Sequence, residues 1–306
     1  MLRAAFIALS ENRSLRHMAE SSSIGHRISG RFVAGTTIEE ALKATRETNA
    51  LGMSVSLDNL GENVRNADEA RASAQLYHEL LDRIRERGLN ANVSLKLTHM
   101  GFDVDQQLAV GIVQRLVDHA REKHNFVRVD MEGSPYTQRT LDLVQTIHNQ
   151  NGNQGAVGAV IQAYLRRSEA DIENLISQGI RIRLCKGAYK EPPDIAFPEK
   201  SDVDANYVKL VKMLLKSGIY HGIATHDEKM IQATIAFAEA EQIPSAAFEF
   251  QMLYGIRRDL QRELVRQGWR MRVYIPFGTE WYPYFMRRLA ERPANALFVA
   301  RNLLRS

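Results

Sequence analysis

From residue 53 onward, short aliphatic or β-branched runs alternate with longer amphipathic segments. Eight runs stand out: Met53–Leu57, Asn92–Leu97, Phe126–Met131, Ala159–Tyr164, Arg181–Cys185, Gly222–Thr225, Ala247–Met252 and Met271–Ile275. Between and after them lie helical patterns at Ala67–Arg87, Asp105–Glu122, Thr137–Gln150, Ser168–Gln178, Asp202–Lys216, Asp227–Glu241, Ile256–Gln267 and Trp281–Glu291. This alternation is the mark of repeated βα units and a parallel sheet, and eight units predict an α/β fold of the (β/α)8, or TIM, barrel type. A doubly wound open sheet competes with it. Its first βα turn would be Leu57-Asp58-Asn59-Leu60-Gly61-Glu62, which has no G-x-G-x-x-G.

The first 50 residues have a different texture, helical from Leu2 to about Glu20, broken at Ser21-Ser22-Ser23, and helical again from Thr37 through Thr48. Thr37 and Glu40 have the spacing of a capping box. Residues 1–50 are therefore expected as N-terminal helices packed on a barrel of residues 51–306, the two making one structural unit. The long irregular connection from Ala188 to Pro198 is expected to act as a lid, because long loops in compact domains commonly serve function.

The 306-residue length suits one such barrel, and 25% charged with 44% hydrophobic residues is an ordinary globular composition. Forty Lys and Arg against 36 Asp and Glu leave a net charge of +4, interspersed along the chain. No nucleic-acid partner is expected without a concentrated basic patch, whereas mild attraction to anionic membrane surfaces is compatible. The single Cys185 excludes an internal disulfide and a multi-cysteine zinc site, and fits a reducing compartment. The opening Met1–Asn12 stretch is interrupted by charge too early for a signal peptide, and no run of 18 apolar residues occurs. A cytoplasmic protein is expected, at most peripheral at the inner face of a membrane.

Barrel enzymes carry their chemistry at the carboxyl ends of the strands. Those positions here offer Asp58; Lys96 and Thr98; Asp130 and Glu132; Gln162 and Tyr164; Arg183 and Lys186; Thr225, His226 and Asp227; Glu249 and Gln251; and Tyr274. So many polar groups inside strand-like runs are costly unless they face a site. Lys96 shares a strand face with Ser94 and Thr98, and could be a Schiff-base nucleophile, a cation for a carboxylate, or a structural partner of Asp130. Asp130 and Glu132, with Asp58 and His226, would make a conceivable metal set. Lys96 and Arg183 would point into the same mouth and neutralise it, so no metal is expected.

Lys186 followed by Gly187 lets a cation and a bare backbone approach a phosphate, and Thr225-His226-Asp227 opens a helix whose N-terminus favours anions. Near the end, Trp281-Tyr282-Pro283-Tyr284-Phe285-Met286-Arg287-Arg288 places two arginines about 100° apart on one helix, with Tyr284 a turn before Arg287. That geometry suits a clamp for a small anion with an aromatic wall. The plain alternative is a solvated surface helix.

Taken together, these residues resemble the proline dehydrogenase family of FAD-dependent enzymes. The resemblance is carried by Leu57-Asp58-Asn59-Leu60-Gly61-Glu62, Val93 to Thr98, Val129-Asp130-Met131-Glu132, Ile161 to Leu165, Arg183 to Tyr189, Ala224-Thr225-His226-Asp227, Phe248 to Gly255, Val273 to Gly278, and Tyr284 to Asn295. It implies a distorted barrel whose eighth helix lies over the strand ends. Lys96, Arg287 and Arg288 would then bind the carboxylate of L-proline, while Tyr189, Leu253, Tyr274 and Tyr284 would wall its ring. Gln162 and Arg183 would meet the isoalloxazine of noncovalent FAD. Met131, Lys186, Gly187, Ala188, Thr225 and His226 would lie along its ribityl and pyrophosphate part. Asp130 and Arg183 are the expected catalytic residues.

The resemblance implies oxidation of L-proline to Δ1-pyrroline-5-carboxylate by hydride transfer to FAD, with reoxidation by a membrane quinone. Two positions depart from the family pattern: Asn59, where an aromatic is common, and His99, where glutamine is more usual. The length leaves no room for the DNA-binding and aldehyde dehydrogenase modules of bifunctional relatives, so the monofunctional bacterial type is expected. The alternatives are a Schiff-base aldolase acting through Lys96 and, within the same family, a hydroxyproline dehydrogenase.

Overall fold

The structure is a computed structural model that describes residues 30–61, 64–150 and 152–291, with side chains through residue 286. The helix expected at Leu2–Glu20 lies outside the described residues. Helix α1 (Ile38–Asn49) precedes eight βα units. These are β1 (Ser54–Asn59) with α2 (Ala67–Glu86), β2 (Ala91–Leu95) with α3 (Gln106–Glu122), β3 (Val127–Val129) with α4 (Ser134–His148), and β4 (Val157–Gln162) with α5 (Ser168–Ser177). They continue as β5 (Arg181–Cys185) with α6 (Lys200–Lys216), β6 (His221–Ala224) with α7 (Glu228–Ala240), β7 (Phe248–Leu253) with α8 (Arg258–Arg266), and β8 (Met271–Phe277) with α9 (Trp281–Glu291). The strands pair in sequence order, all parallel, and β8 returns to β1 to close the barrel.

Polar side chains start the helices where the sequence places them. Thr37 and Glu40 form the reciprocal cap of α1, Asn66 accepts from the Glu69 N–H at the head of α2, and Asp105 accepts from two N–H groups of α3. Each such cap contributes roughly 1 kcal/mol. Alternate strand residues then point outward into the main core, where Val55, Leu57, Val93, Leu95, Val127 and Ile182 are fully buried with Leu80, Val113, Leu116 and Leu214 of the helices. The inward positions are polar. Ser56, Asp58, Ser94, Arg128, Arg183, Glu249 and Gln251 are all buried, where barrel interiors usually hold branched apolar side chains.

The wall of the barrel between β1 and β8 is closed by the N-terminal helix. Helix α1 packs on both β1 and β8, the place the eighth helix would fill. The segment before it is stitched to the end of β8: the Ala34 N–H donates to the Pro276 carbonyl at 2.9 Å and the Gly278 N–H to the Gly35 carbonyl at 3.0 Å. Helix α9 is thereby released to the mouth. Its Trp281, Tyr282, Tyr284, Phe285 and Met286 cluster with Phe32, Val33, Leu60 and Ile256, with Leu253 of β7 packed alongside.

Two strands are shorter than the apolar pattern suggests. β2 stops at Leu95, and a single 3-10 turn (Thr98–Met100) follows, closed by Gly101 in the left-handed region at φ 85. Thr98 therefore leaves the face it was expected to share with Lys96. Its N–H and hydroxyl instead donate to the Glu132 carboxylate at 3.1 and 2.6 Å. β3 spans three residues, so Asp130 and Glu132 lie beyond it and serve different partners.

Candidate active site

The base of the mouth is built around Arg183, which β5 aims into the barrel. Its Nη1 meets Asp130 Oδ1 at 2.6 Å, its Nη2 donates to Ser94 Oγ at 3.0 Å and Ser56 Oγ at 3.2 Å, and its Nε donates to Gln251 Oε1 at 2.5 Å. The guanidinium also faces the Tyr274 ring, 5.1 Å from its centroid. Tyr274 in turn donates its hydroxyl to Asp130 Oδ2 at 2.8 Å. Asp130 thus holds a cation and a phenol at once. Burial, reinforced by the charges of Asp130 and Asp58, pushes the Tyr274 phenol well above its usual range, so it stays protonated and donates.

Lys96 sits one residue past β2 and pairs with Asp58 at 3.0 Å. This settles its ion-pair partner as Asp58, with Asp130 taken by Arg183. Burial raises the Asp58 carboxyl above its ordinary value against the pull of Lys96. Tyr77 reaches in from α2 to donate to the Ser94 carbonyl at 2.8 Å, with Asp58 Oδ1 at 3.3 Å, and its oxygen accepts the Asn59 N–H at 3.1 Å. That tyrosine reads in the sequence as one more residue of an apolar helix face. Only its hydroxyl distinguishes it.

Both departures from the family pattern adjoin this tyrosine. Asn59 donates its N–H to it, and the His99 ring meets it edge-on with centroids 6.5 Å apart.

The opposite side of the mouth carries the expected cofactor residues. Gln162 donates to the Glu132 carbonyl at 3.0 Å, which turns its Oε1 the other way, and neighbouring Met131 is buried. Lys186 is held between Asp204 and Asp227, 2.8 Å from the latter. Gly187 has φ 109, and a Cβ there would overlap the Tyr164 ring. Only glycine permits this close approach. Thr225 accepts the Asp227 N–H at 3.1 Å, and His226 Nε2 accepts the Leu253 N–H at 2.9 Å, tying the head of α7 to the end of β7.

Lys186, Gly187 and the head of α7 lie at the ends of the adjacent strands β5 and β6, a donor set whose chemistry suits a phosphate-bearing cofactor, with Lys186 shared by Asp204 and Asp227. Cys185, by contrast, is inert. Burial raises its thiol to about 11.

After Gly187 the chain passes Ala188 and the exposed Tyr189, then is anchored at Glu191, whose carboxylate accepts from the Ser134 N–H at 2.7 Å and the Ser134 hydroxyl at 2.5 Å. On the far rim, Leu253 is half-buried and Tyr284 buried. Arg287 and Arg288 follow on α9, and their side chains lie outside the described residues. Among the described residues no group of three or more His, Cys, Asp or Glu is placed to hold a metal ion.

A closed (β/α)8 barrel whose strand ends carry a buried arginine and an ion-paired lysine has the form of a barrel enzyme. The chain belongs to the proline dehydrogenase family, which matches residues 41–301. It is 41% identical over 306 residues, the whole of both chains, to proline dehydrogenase 1 of Bacillus subtilis (strain 168). To proline dehydrogenase of Deinococcus radiodurans it is 38% identical over 308 residues, 100% of this chain and 98% of that one. The crystal structure of proline utilization A (PutA) from Bdellovibrio bacteriovorus inactivated by N-propargylglycine superposes with a TM-score of 0.83 at 27% identity. That match covers 95% of this chain and 36% of PutA, so this chain spans about a third of the larger protein.

Proposed function

We propose that this proline dehydrogenase oxidises L-proline to Δ1-pyrroline-5-carboxylate using noncovalent FAD, and that a membrane quinone takes the electrons onward. A bound flavin supplies the two-electron acceptor for the hydride leaving the ring carbon next to nitrogen, which no side chain can do. Gln162 and Arg183 would hold its ring system, and Met131, Lys186, Gly187, Ala188, Thr225 and His226 the remainder.

Lys96, Arg287 and Arg288 bind the proline carboxylate and so choose which ring carbon is presented. Tyr189, Leu253, Tyr274 and Tyr284 wall the ring and exclude water. Asp130 keeps the Tyr274 phenol and the Arg183 guanidinium in register, and Arg183 stabilises negative charge that develops beside it.

The observation that carries this reading is the pre-ordered Asp130–Arg183–Tyr274 assembly at the strand ends, with the Lys96–Asp58 pair beside it. Lys96 Nζ is held 3.0 Å from Asp58 Oδ2, and the family match does not favour the aldolase alternative. Among the described residues no helix is long and apolar enough to cross a membrane, and contact with the quinone is proposed as peripheral, aided by the net charge of +4.

The test is the visible spectrum of the purified protein. It should show flavin bands that L-proline bleaches and a soluble quinone restores. A colourless protein that takes up no FAD, or one trapped on Lys96 by borohydride with a carbonyl substrate, refutes the assignment.

A further inference from the structure

Beneath Arg183 the barrel interior holds a second polar layer that reaches the proposed site only through Arg183. Gln251 accepts from Arg183 Nε through Oε1 and donates through Nε2 to Glu249 Oε1 at 2.7 Å. Glu249 is itself clamped, by Arg272 Nε at 2.6 Å and by the Tyr220 hydroxyl at 2.9 Å. Arg272 is tied to the backbone by donating to the Val55 carbonyl at 2.7 Å. Glu249 and Gln251 are each only 4% exposed, so every unmade bond here would be costly.

An amide has one accepting and one donating end, and in isolation either could face Arg183. Here a guanidinium N–H lies on one side and a carboxylate on the other. Only Oε1 toward Arg183 with Nε2 toward Glu249 satisfies both. Gly222 adds a steric constraint, because a Cβ there would overlap the amide nitrogen of Gln251. The carboxylate at 249 stays ionised: burial works to raise it, but Arg272 and the hydrogen bonds from Arg272, Tyr220 and Gln251 outweigh burial and hold it below the usual range.

With Asp130, Ser56 and Ser94 on the other nitrogens, Gln251 completes the set of acceptors in the guanidinium plane. Asp130 and the two serines grip one end of the group. Gln251 grips Nε, and the four acceptors together fix the plane of the group.

We propose that Glu249 is a positioning residue for the dehydrogenation: acting through the Gln251 amide, it fixes the plane of the Arg183 guanidinium against the bound flavin. The proposal rests on the reading of Arg183 as a flavin neighbour. It makes Glu249 matter to flavin energetics although it touches neither flavin nor proline.

The experiment compares the FAD-loaded parent with Glu249→Gln, Gln251→Met and the double variant. Two readouts are used, the flavin midpoint potential and the rate of flavin reduction by L-proline in single turnover. Glu249→Gln replaces the ionised acceptor of the 251 amide by a neutral carbonyl and so loosens its hold on Arg183, which should lower the potential and slow reduction about tenfold while leaving the proline concentration dependence nearly unchanged. Because Glu249 acts only through Gln251, the double variant should match Gln251→Met within about twofold.

Unchanged potential and rate in Glu249→Gln, or additive losses in the double variant, overturn the proposal. If Glu249→Gln does not retain FAD, Glu249→Asp, which keeps the charge but withdraws it from the 251 amide, is read in the same way. If neither variant retains it, the pair is a folding element and the positioning role is refuted. A parent that binds FAD but is not bleached by proline sinks the functional assignment instead, and the inference with it.

Discussion

Replacing Tyr274 separates two contributions that the structure places on one side chain. In the proposed assignment its ring walls the proline site together with Leu253 and Tyr284, and its hydroxyl donates 2.8 Å to Asp130. The hydroxyl contact is a bond to a carboxylate, worth roughly 1.5–3 kcal/mol. Because Asp130 also holds Arg183 at 2.6 Å, the phenol is anchored and cannot swing aside for a bulkier substrate. A hydroxyl added to the proline ring would have to displace the anchored ring or be buried without a partner, costing on the order of 1–3 kcal/mol.

Tyr274→Ser should therefore lower the preference for L-proline over trans-4-hydroxy-L-proline by about 5- to 150-fold in the ratio of kcat/KM, mostly through loss on proline. Tyr274→Phe keeps the ring and removes only the anchor. It should slow both substrates about tenfold or more and lower their ratio only part of the way toward that of Tyr274→Ser, because the freed ring still fills its place but can yield. The assay is steady-state kcat/KM for both amino acids with a soluble quinone acceptor. Equal change of the ratio in the two variants, or a parent that uses both substrates equally well, would show that the ring does not set specificity.

Substituting Met for Arg287 or Arg288 should raise the proline concentration needed for half-maximal flavin reduction about 10- to 150-fold, with flavin absorbance per chain retained. Gly187→Ala, which forces a side chain into the left-handed φ of 109 and onto the Tyr164 ring, should cost about 1–3 kcal/mol and show as a lowered FAD content after gel filtration. His221 accepts the Ile182 N–H on Nδ1, and burial lowers its pKa to about 3 from 6.5. The unfolded chain therefore binds a proton that the folded one refuses: stability is fully present above about pH 6.5 and falls as the pH drops toward 3, by about 2 kcal/mol at pH 5. Urea unfolding at pH 7 and pH 5 measures this loss, which His221→Gln should reduce.

The barrel was readable because outward strand positions are apolar and the connecting helices keep a helical period, so Val55, Leu57, Val93 and Leu95 mark the wall before any coordinates exist. The mouth was readable for the converse reason, since polar residues inside strands have to face something. What periodicity does not carry is pairing. Lys96 could be assigned to Asp130 or Asp58 only by the closure of β1 against β2, and Thr98 left the mouth because Gly101 allows a tight turn. Asp204 on α6 looks like an ordinary helix-surface acid until the barrel brings it to Lys186, and Tyr77 looks like core until its hydroxyl meets the strand ends. In each case the missing information lay in contacts between segments far apart along the chain.

Helix α1 gives that distance a temporal meaning. One of the walls it closes, β8, is the last strand to be made, and the barrel seam there also joins Arg272 to the Val55 carbonyl, 217 residues apart. On a ribosome working at about 5–20 residues per second, the early helix would wait on the order of ten seconds or more before its second partner emerged. During that wait Ala41, Leu42 and Ala44, all buried in the finished protein, have only part of their final packing surface. The apolar face of this otherwise charged helix therefore finds its second partner only once β8 has formed, a delay that a barrel walled by its own eighth helix would not impose.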